Sequence, residues 1–266
     1  MRYDRKAYLD LRRLLERKGI STICFEADCP NRYECFSEGT ATFMILGNIC
    51  TRDCTYCNVC HGMPADADMQ PVLKAAEDLD LQYVVITSPT RDDLPDGGAT
   101  EFAACIQALH SQGRKVEVLI PDLIGDALAT VLDAEPDVLG HNLETVRHLF
   151  PVVRPEAEYR RSLGVLRSAA RRCTTKSGLM VGLGESMEDV KNTLRDIKDT
   201  GCHIVTIGQY LPPSNRHAAL RKEYSADEFR EMERYARSLG FAGSRAGKLV
   251  RSSYHAAALQ EGLGCD

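Results

Sequence analysis

The sequence predicts an α/β protein: a partial (β/α)6 barrel of TIM-like type, with an N-terminal cysteine-rich extension and a C-terminal tail. Three observations carry this expectation. Short β-branched runs alternate with helical patterns along most of the 266 residues. Apolar strands separated by helices imply parallel neighbours, because parallel strands need crossover connections. A composition of 44% hydrophobic and 27% charged residues is ordinary for a soluble globular chain of this length.

The elements follow in order. Residues 1–20 are Arg-rich, as transit peptides are, but Asp4, Asp10 and Glu16 interrupt the basic charge. Tyr8, Leu11, Leu14 and Leu15 share one helical face, so a mature amphipathic helix is expected rather than a targeting signal. Strands are expected at 41–47 (ATFMILG), 83–88 (YVVITS), 116–121 (VEVLIP), 137–142 (DVLGHN), 178–184 (GLMVGLG) and 203–211 (HIVTIGQYL). Helices are expected near 72–80, 99–112, 125–133, 143–149, 157–171, 186–199 and 225–239. Six strand–helix units fit an open barrel better than a closed eight-fold one. The chain then divides into an extension at 1–38, the barrel at 39–240 and a tail at 241–266. Barrels of this kind place their chemistry in loops after the C-terminal strand ends. TSPTRDDLPDGG, HNLET and GES follow the second, fourth and fifth strands, and the first strand leads into a cysteine cluster.

A net charge of −5 gives no global basic field, which argues against a nucleic-acid partner. No apolar run reaches the length of a membrane span, so no membrane partner is expected and the location is read as cytoplasmic.

Seven of the eleven cysteines lie between Cys24 and Cys60. An odd total with such clustering is a poor disulfide framework. Cys50, Cys54 and Cys57 read C-x3-C-x2-C; Cys24, Cys29 and Cys35 read C-x4-C-x5-C. Structural zinc usually pairs two C-x2-C-like hooks, whereas two triads suit two iron–sulfur clusters, each finding three local thiolates. Three thiolates on a cubane leave one iron open.

The C-x3-C-x2-C run with Tyr56 before its last cysteine resembles the radical S-adenosylmethionine (SAM) superfamily. With the upstream triad, and with GTATFMILG, RDDLPDGGA, HNLETV, TKSGLMVGLGE, TIGQYLPPS and LVRSSYHA in that order, the chain is similar to the lipoyl synthase family from Cys24 to Ala256. The resemblance implies an enzyme, a sulfurtransferase that places two sulfur atoms on carbons six and eight of an octanoyl chain held in amide linkage to a carrier lysine. Those carbons carry no acidic proton, so acid–base catalysis has nothing to work on and a cofactor radical is required. It implies that Cys50, Cys54 and Cys57 hold a 4Fe–4S cluster whose open iron chelates SAM, the source of the radical. It implies a second 4Fe–4S cluster on Cys24, Cys29 and Cys35, consumed as sulfur donor, with a fourth ligand from RSSY (251–254): Ser253, with Ser252 as its rival. A hard alkoxide is a poorer match for such a cluster than a thiolate, which suits a ligand that must leave. The implied partners are octanoylated lipoyl carrier domains (the acyltransferase subunits of 2-oxo acid dehydrogenases and the glycine cleavage H protein), an electron donor such as ferredoxin or flavodoxin, and an iron–sulfur carrier for cluster repair.

Other residues admit two readings. Asn142 and Glu144 either bind SAM's polar groups or cap the following helix. RDDLPDGG (91–98) shapes a substrate loop or is turn chemistry. GLGES (182–186) lacks the full dinucleotide fingerprint, which favours backbone approach to adenosine over phosphate binding. Arg160, Arg161, Arg167, Arg171 and Arg172 dock an acidic carrier domain or form a solvated face. His217 and Cys60 are read as structural or solvent-facing. Cys105, Cys173, Cys202 and Cys265 are expected to act as small apolar side chains.

Overall fold

The computed structural model describes residues 4–37, 40–65, 68–254 and 256–257. They fall into two compact units: one formed by the chain up to Arg52 with Asn58–Asp137, the other by Asp53–Cys57 with the chain from Val138 onward.

The first unit opens with α1 (Arg5–Lys18), capped by the Asp4 carboxylate, which accepts the Lys6 and Ala7 amides, and ended by Gly19 at φ 63°. Of the expected apolar stripe, Tyr8, Leu11 and Leu15 are buried and Leu14 is half-buried. Two short helices follow, α2 (Ile23–Glu26) and α3 (Arg32–Ser37). Aromatic packing joins all three, with Tyr8 4.9 Å from Tyr33 and Phe25 edge-on to Phe36 at 5.3 Å. Then come β1 (Thr42–Met44), a two-residue parallel pair of β2 (Ile49–Cys50) and β3 (Cys60–His61), α4 (Gln70–Asp78), β4 (Tyr83–Thr87), α5 (Ala99–Ser111), β5 (Lys115–Leu119) and α6 (Gly125–Asp133). β4 pairs in parallel with β1 on one side and β5 on the other. Val84, Val85, Ile86, Val116 and Val118 are buried, as fully covered parallel strands require.

The second unit carries β6 (Val138–Gly140), a 3-10 turn at Arg147–Leu149, α7 (Phe150–Val153), α8 (Tyr159–Ala169), β7 (Thr174–Val181), α9 (Met187–Lys198), β8 (Ile204–Gln209), α10 (Ala226–Ser238) and β9 (Gly243–Gly247). β6, β7, β8 and β9 pair in that order, all parallel. Leu179, Val181, Val205 and Ile207 on one sheet face pack with Leu166, Val190, Leu194 and Met232 from the helices. Reciprocal capping boxes start α9 (Ser186 with Asp189) and α10 (Ser225 with Glu228).

All six expected strands form, with three differences from the sequence reading. No helix occupies 143–149. Glu144 sits at φ 69° and continues sheet pairing, its N–H bonded to Gly178 O and its carbonyl to Met180 N–H, so helical structure starts only at Arg147. β7 starts at Thr174 rather than Gly178, because the polar run Thr175, Lys176 and Ser177 is fully buried and hides the strand from a hydrophobicity reading. Gly243–Gly247, in the stretch assigned to the tail, adds a strand against β8; its residues lack the β-branched signature.

Candidate functional site

In the first unit, α2 and α3 present the upstream cysteines. Cys24 is buried within α2, Cys29 follows the turn at Asp28 (φ 46°) and Cys35 lies on α3. The Cys29 N–H donates to Cys24 O at 3.0 Å, and the Cys35 N–H to Asn31 O at 2.9 Å. Burial pushes the Cys24 thiol up to about 11, and the nearby Cys29 sulfur adds to the rise. Such a thiol stays protonated at neutral pH unless a cation faces it; a bound iron would reverse that balance.

Cys50 ends β2, half-buried, and its Sγ accepts the Arg52 N–H at 3.4 Å. Arg52, inside the C-x3-C-x2-C run, forks onto Asp92 at 2.7 and 2.9 Å and also pairs with Asp122, whose side chain is fully buried. The Asp92 carboxyl is held below its ordinary range by that bond. The RDDLPDGG loop is thereby the anchor of the cysteine loop. Within it, Arg91 grips Asp93 and donates to Leu46 O, while Asp96 accepts the amides of Gly98 and Thr100 to start α5. Turn and capping bonds account for its Asp and Gly residues. A 290 Å³ cavity lies beside it, lined by Arg52, Asp92, Asp96, Pro121 and Leu123 among others. Cys60, on β3, pairs with Ile49 of β2 and is exposed, as expected.

In the second unit, Cys54 and Cys57 share one turn, closed by Cys57 N–H to Cys54 O at 3.0 Å. Thr55 anchors this turn, donating its N–H to Val153 O at 3.1 Å and accepting from Ala218 N at 2.7 Å. His217 Nε2 meets Cys57 O at 3.1 Å and its Nδ1 meets Ser214 Oγ at 2.9 Å. A carbonyl can only accept, so Nε2 carries the proton. His217 therefore braces the cysteine turn, a role its sequence context does not announce.

Asn142 and Glu144 follow β6. Asn142 Nδ2 donates to Glu144 Oε1 at 2.9 Å and to Ser252 Oγ at 2.6 Å. The capping reading of Asn142 fails, since no helix begins there. Burial raises the Glu144 carboxyl although Arg154, Asn142 and Tyr56 all favour its charged form. Burial, and then the Glu144 charge, push the Tyr56 phenol well above its usual value. Arg154 Nη1 donates to Asn142 O at 2.9 Å. Tyr56 and Arg154 thus tie the cysteine turn to the Asn142–Glu144 pair. The only sequence signal for either was the aromatic position of Tyr56. A left-handed Glu144 is the kind of strained residue that clusters at working sites.

After β7, Gly182 (φ 111°) and Gly184 (φ 124°) turn the chain, and the buried Glu185 carboxylate accepts the amides of Gly182 and Leu183. Two donors of GLGES are taken by its own side chain, which removes the phosphate-cradle reading. A Cβ on Gly182 would lie 2.2 Å from Gln209 Nε2. Ser252 and Ser253 occupy the centre of a turn closed by Tyr254 N–H to Arg251 O at 3.1 Å. α8 ends at Ala169, short of the expected 171, leaving Arg171 and Arg172 exposed beyond it. Cys105 and Cys202 are buried and Cys173 half-buried, with burial raising all three thiols; Cys265 lies outside the described residues.

Among the described residues, no three His, Cys, Asp or Glu side chains are gathered onto one point as ligands of a single ion are. A cubane takes each thiolate on a different iron, and the all-sulfur donor sets, with a buried raised thiol in one and an N–H···S contact in the other, fit it. For SAM, the buried Asn142 Oδ1, which has no hydrogen-bond partner among the described residues, fits a polar ligand.

Comparison with known proteins agrees. The Radical SAM superfamily model matches residues 44–197. The chain is 50% identical over 252 residues to the lipoyl synthase of Caldicellulosiruptor saccharolyticus, covering 91% of this chain and 88% of that one. It is 49% identical over 259 residues to the lipoyl synthase of Symbiobacterium thermophilum, covering 94% and 81%. Among solved structures, methylornithine synthase (PylB) aligns with TM-score 0.59 and 15% identity over 86% of this chain and 72% of its own. TYW1 with a lysine–pyruvate adduct aligns with TM-score 0.58 and 12% identity, over 86% and 89%. At such identities these two speak for the α/β barrel fold alone.

Proposed function

The chain belongs to the lipoyl synthase family of the radical SAM superfamily, and from that premise we propose which of its residues carry each part of the reaction. It is a radical SAM sulfurtransferase, with SAM and a 4Fe–4S cluster as cofactors and a lipoyl-carrier protein as substrate. In the proposed assignment Cys50, Cys54 and Cys57 hold that cluster, and Cys24, Cys29, Cys35 and Ser253 hold a second. When bound, the first cluster with SAM supplies a radical able to take hydrogen from an unactivated carbon, and the second supplies sulfur.

The chain's own residues do the positioning. Thr55, Ala218 and His217 fix the Cys54–Cys57 turn, and this bracing is the observation that most supports the assignment. Arg52, locked on Asp92 and Asp122, fixes the loop that leaves Cys50. Asn142 and Glu144 orient SAM, with Arg154 and Tyr56 keeping the pair dry and aligned. The division into extension (1–38), barrel (39–240) and tail (241–266) follows the same assignment, except that β9 at Gly243–Gly247 belongs with the sheet and the tail begins after it. So do the 2-oxo acid dehydrogenase and H-protein carriers, a ferredoxin or flavodoxin as donor, a carrier for cluster repair and a cytoplasmic setting. No described helix is long and apolar enough to cross a membrane.

The test is anaerobic incubation of reconstituted enzyme with SAM, reductant and an octanoyl-lysine peptide. Mass spectrometry is expected to show two added sulfurs, and about eight irons per chain before turnover. About four irons, unchanged by a Cys29→Ala substitution, would remove the second cluster.

A further inference from the structure

The tail reaches back over the inner face of β7 and β8. Gly178 and Met180 share one face of β7, and the register sets Gly208 opposite Met180, so Gly178 and Gly208 lie on the same face. Both are gaps that the tail fills. A Cβ on Gly208 would come within 2.1 Å of Val250 O. A Cβ on Gly178 would lie 2.7 Å from Asn142 Oδ1 and 3.0 Å from Ser252 Oγ. Neither strand tolerates a side chain here, because the tail backbone and the Asn142–Ser252 pair take the space.

The Asn142 amide is shared between two duties. Its Nδ2 has two protons, and both are used: one on Glu144 Oε1, the other on Ser252 Oγ. Its Oδ1 is buried with no partner among the described residues. Ser252 is therefore committed to Asn142, and within the turn Ser253 keeps the hydroxyl that Asn142 does not claim.

We propose that Ser252 is a positioning residue that seats the Arg251–Tyr254 turn on the Asn142 amide, so that SAM binding at Asn142 and placement of the tail reinforce one another. The inference rests on the reading of Asn142 as a SAM-orienting residue. Seating of Ser252 holds the Asn142 amide plane, leaving Oδ1 presented to a donor on the cofactor. A cofactor bonded to Oδ1 holds the same plane for Ser252. The coupling must then be reciprocal, because linkage between two binding events is symmetric.

The test uses the reconstituted holoenzyme and three readouts: amide hydrogen exchange over 250–254, equilibrium SAM affinity, and octanoyl-peptide product formed per SAM cleaved. SAM is expected to slow exchange of the tail in the native enzyme. Ser252→Ala is expected to raise tail exchange and weaken SAM binding by about two- to tenfold, the worth of one hydrogen bond. SAM cleavage should continue while product per cleavage falls, and Ser252→Thr should restore all three. Gly178→Ala, which leaves Ser252 in place, should reproduce the loss by crowding the pair. Tail exchange that ignores SAM in the native enzyme, or a Ser252→Ala enzyme equal to native in exchange and affinity, overturns the proposal. A native enzyme that cleaves SAM yet adds no sulfur overturns the functional reading instead, and the exchange result still stands or falls by itself.

Discussion

The carboxylate of Glu185 accepts the amide of Gly182 at 2.6 Å, and with its other oxygen that of Leu183 at 3.0 Å. A side chain three residues downstream thus holds a glycine turn whose φ of 111° no other residue adopts easily. Glu185→Gln replaces one acceptor oxygen by a donor that faces an N–H. Hydrogen bonds to a charged group are worth about 1.5–3 kcal/mol, so the urea midpoint should fall accordingly and SAM affinity with it. An unchanged midpoint would show that the turn holds without the carboxylate.

Arg52 pairs with Asp122, whose side chain is fully buried, and with the half-exposed Asp92. Arg52→Ala takes this ion-pair partner from the buried Asp122 carboxylate and from Asp92 together, which should lower stability. Arg52→Lys keeps the charge but cannot fork onto both carboxylates, and should recover only part of the loss. Chemical denaturation of the three proteins orders them; equal stability of the Lys variant and the native chain would show that the fork is dispensable.

His217 braces the Cys57 carbonyl, so its loss should loosen the cysteine turn rather than unfold the unit. His217→Ala is expected to lose iron faster under a mild chelator, followed by the visible absorbance of the cluster. Circular dichroism should be unaltered. Iron retention equal to native would reduce His217 to a surface residue.

Glu228 closes the capping box of α10 and bonds Lys222, which lowers its carboxyl to about 2. A depressed folded value means the contribution is present above the unfolded pKa, about 4.3, and fades as pH falls from there toward 2. Glu228→Gln should therefore matter at pH 7 and cease to matter near pH 2. Because the group is only partly buried and its Lys222 partner is exposed, salt should shrink the difference. Thermal melts of both proteins across that range measure it; a pH-independent difference would assign the effect to the cap's shape alone.

Much of this protein is legible from spacing. The two cysteine triads, the six strands and the loops that follow them depend on short-range patterns: intervals between cysteines, and the burial period of strands and helices. α1 is an example, since its buried stripe of Tyr8, Leu11 and Leu15 follows directly from helical geometry. Where the signal inverts, reading fails. Thr175, Lys176 and Ser177 are polar yet buried, so the start of β7 was invisible, and the glycine-rich β9 carried no strand propensity.

By itself the sequence determined the chemistry available: six cysteines in two sets, a tail with two adjacent serines and a barrel to hold them. Only the tertiary structure decided that Ser252 belongs to Asn142, 110 residues away, and that Glu144 extends a sheet instead of starting a helix. It also decided that His217 serves the Cys57 turn. Local spacing encodes what a segment can bind, whereas the partner of a buried polar atom is chosen by which distant atoms share its enclosure when water is excluded.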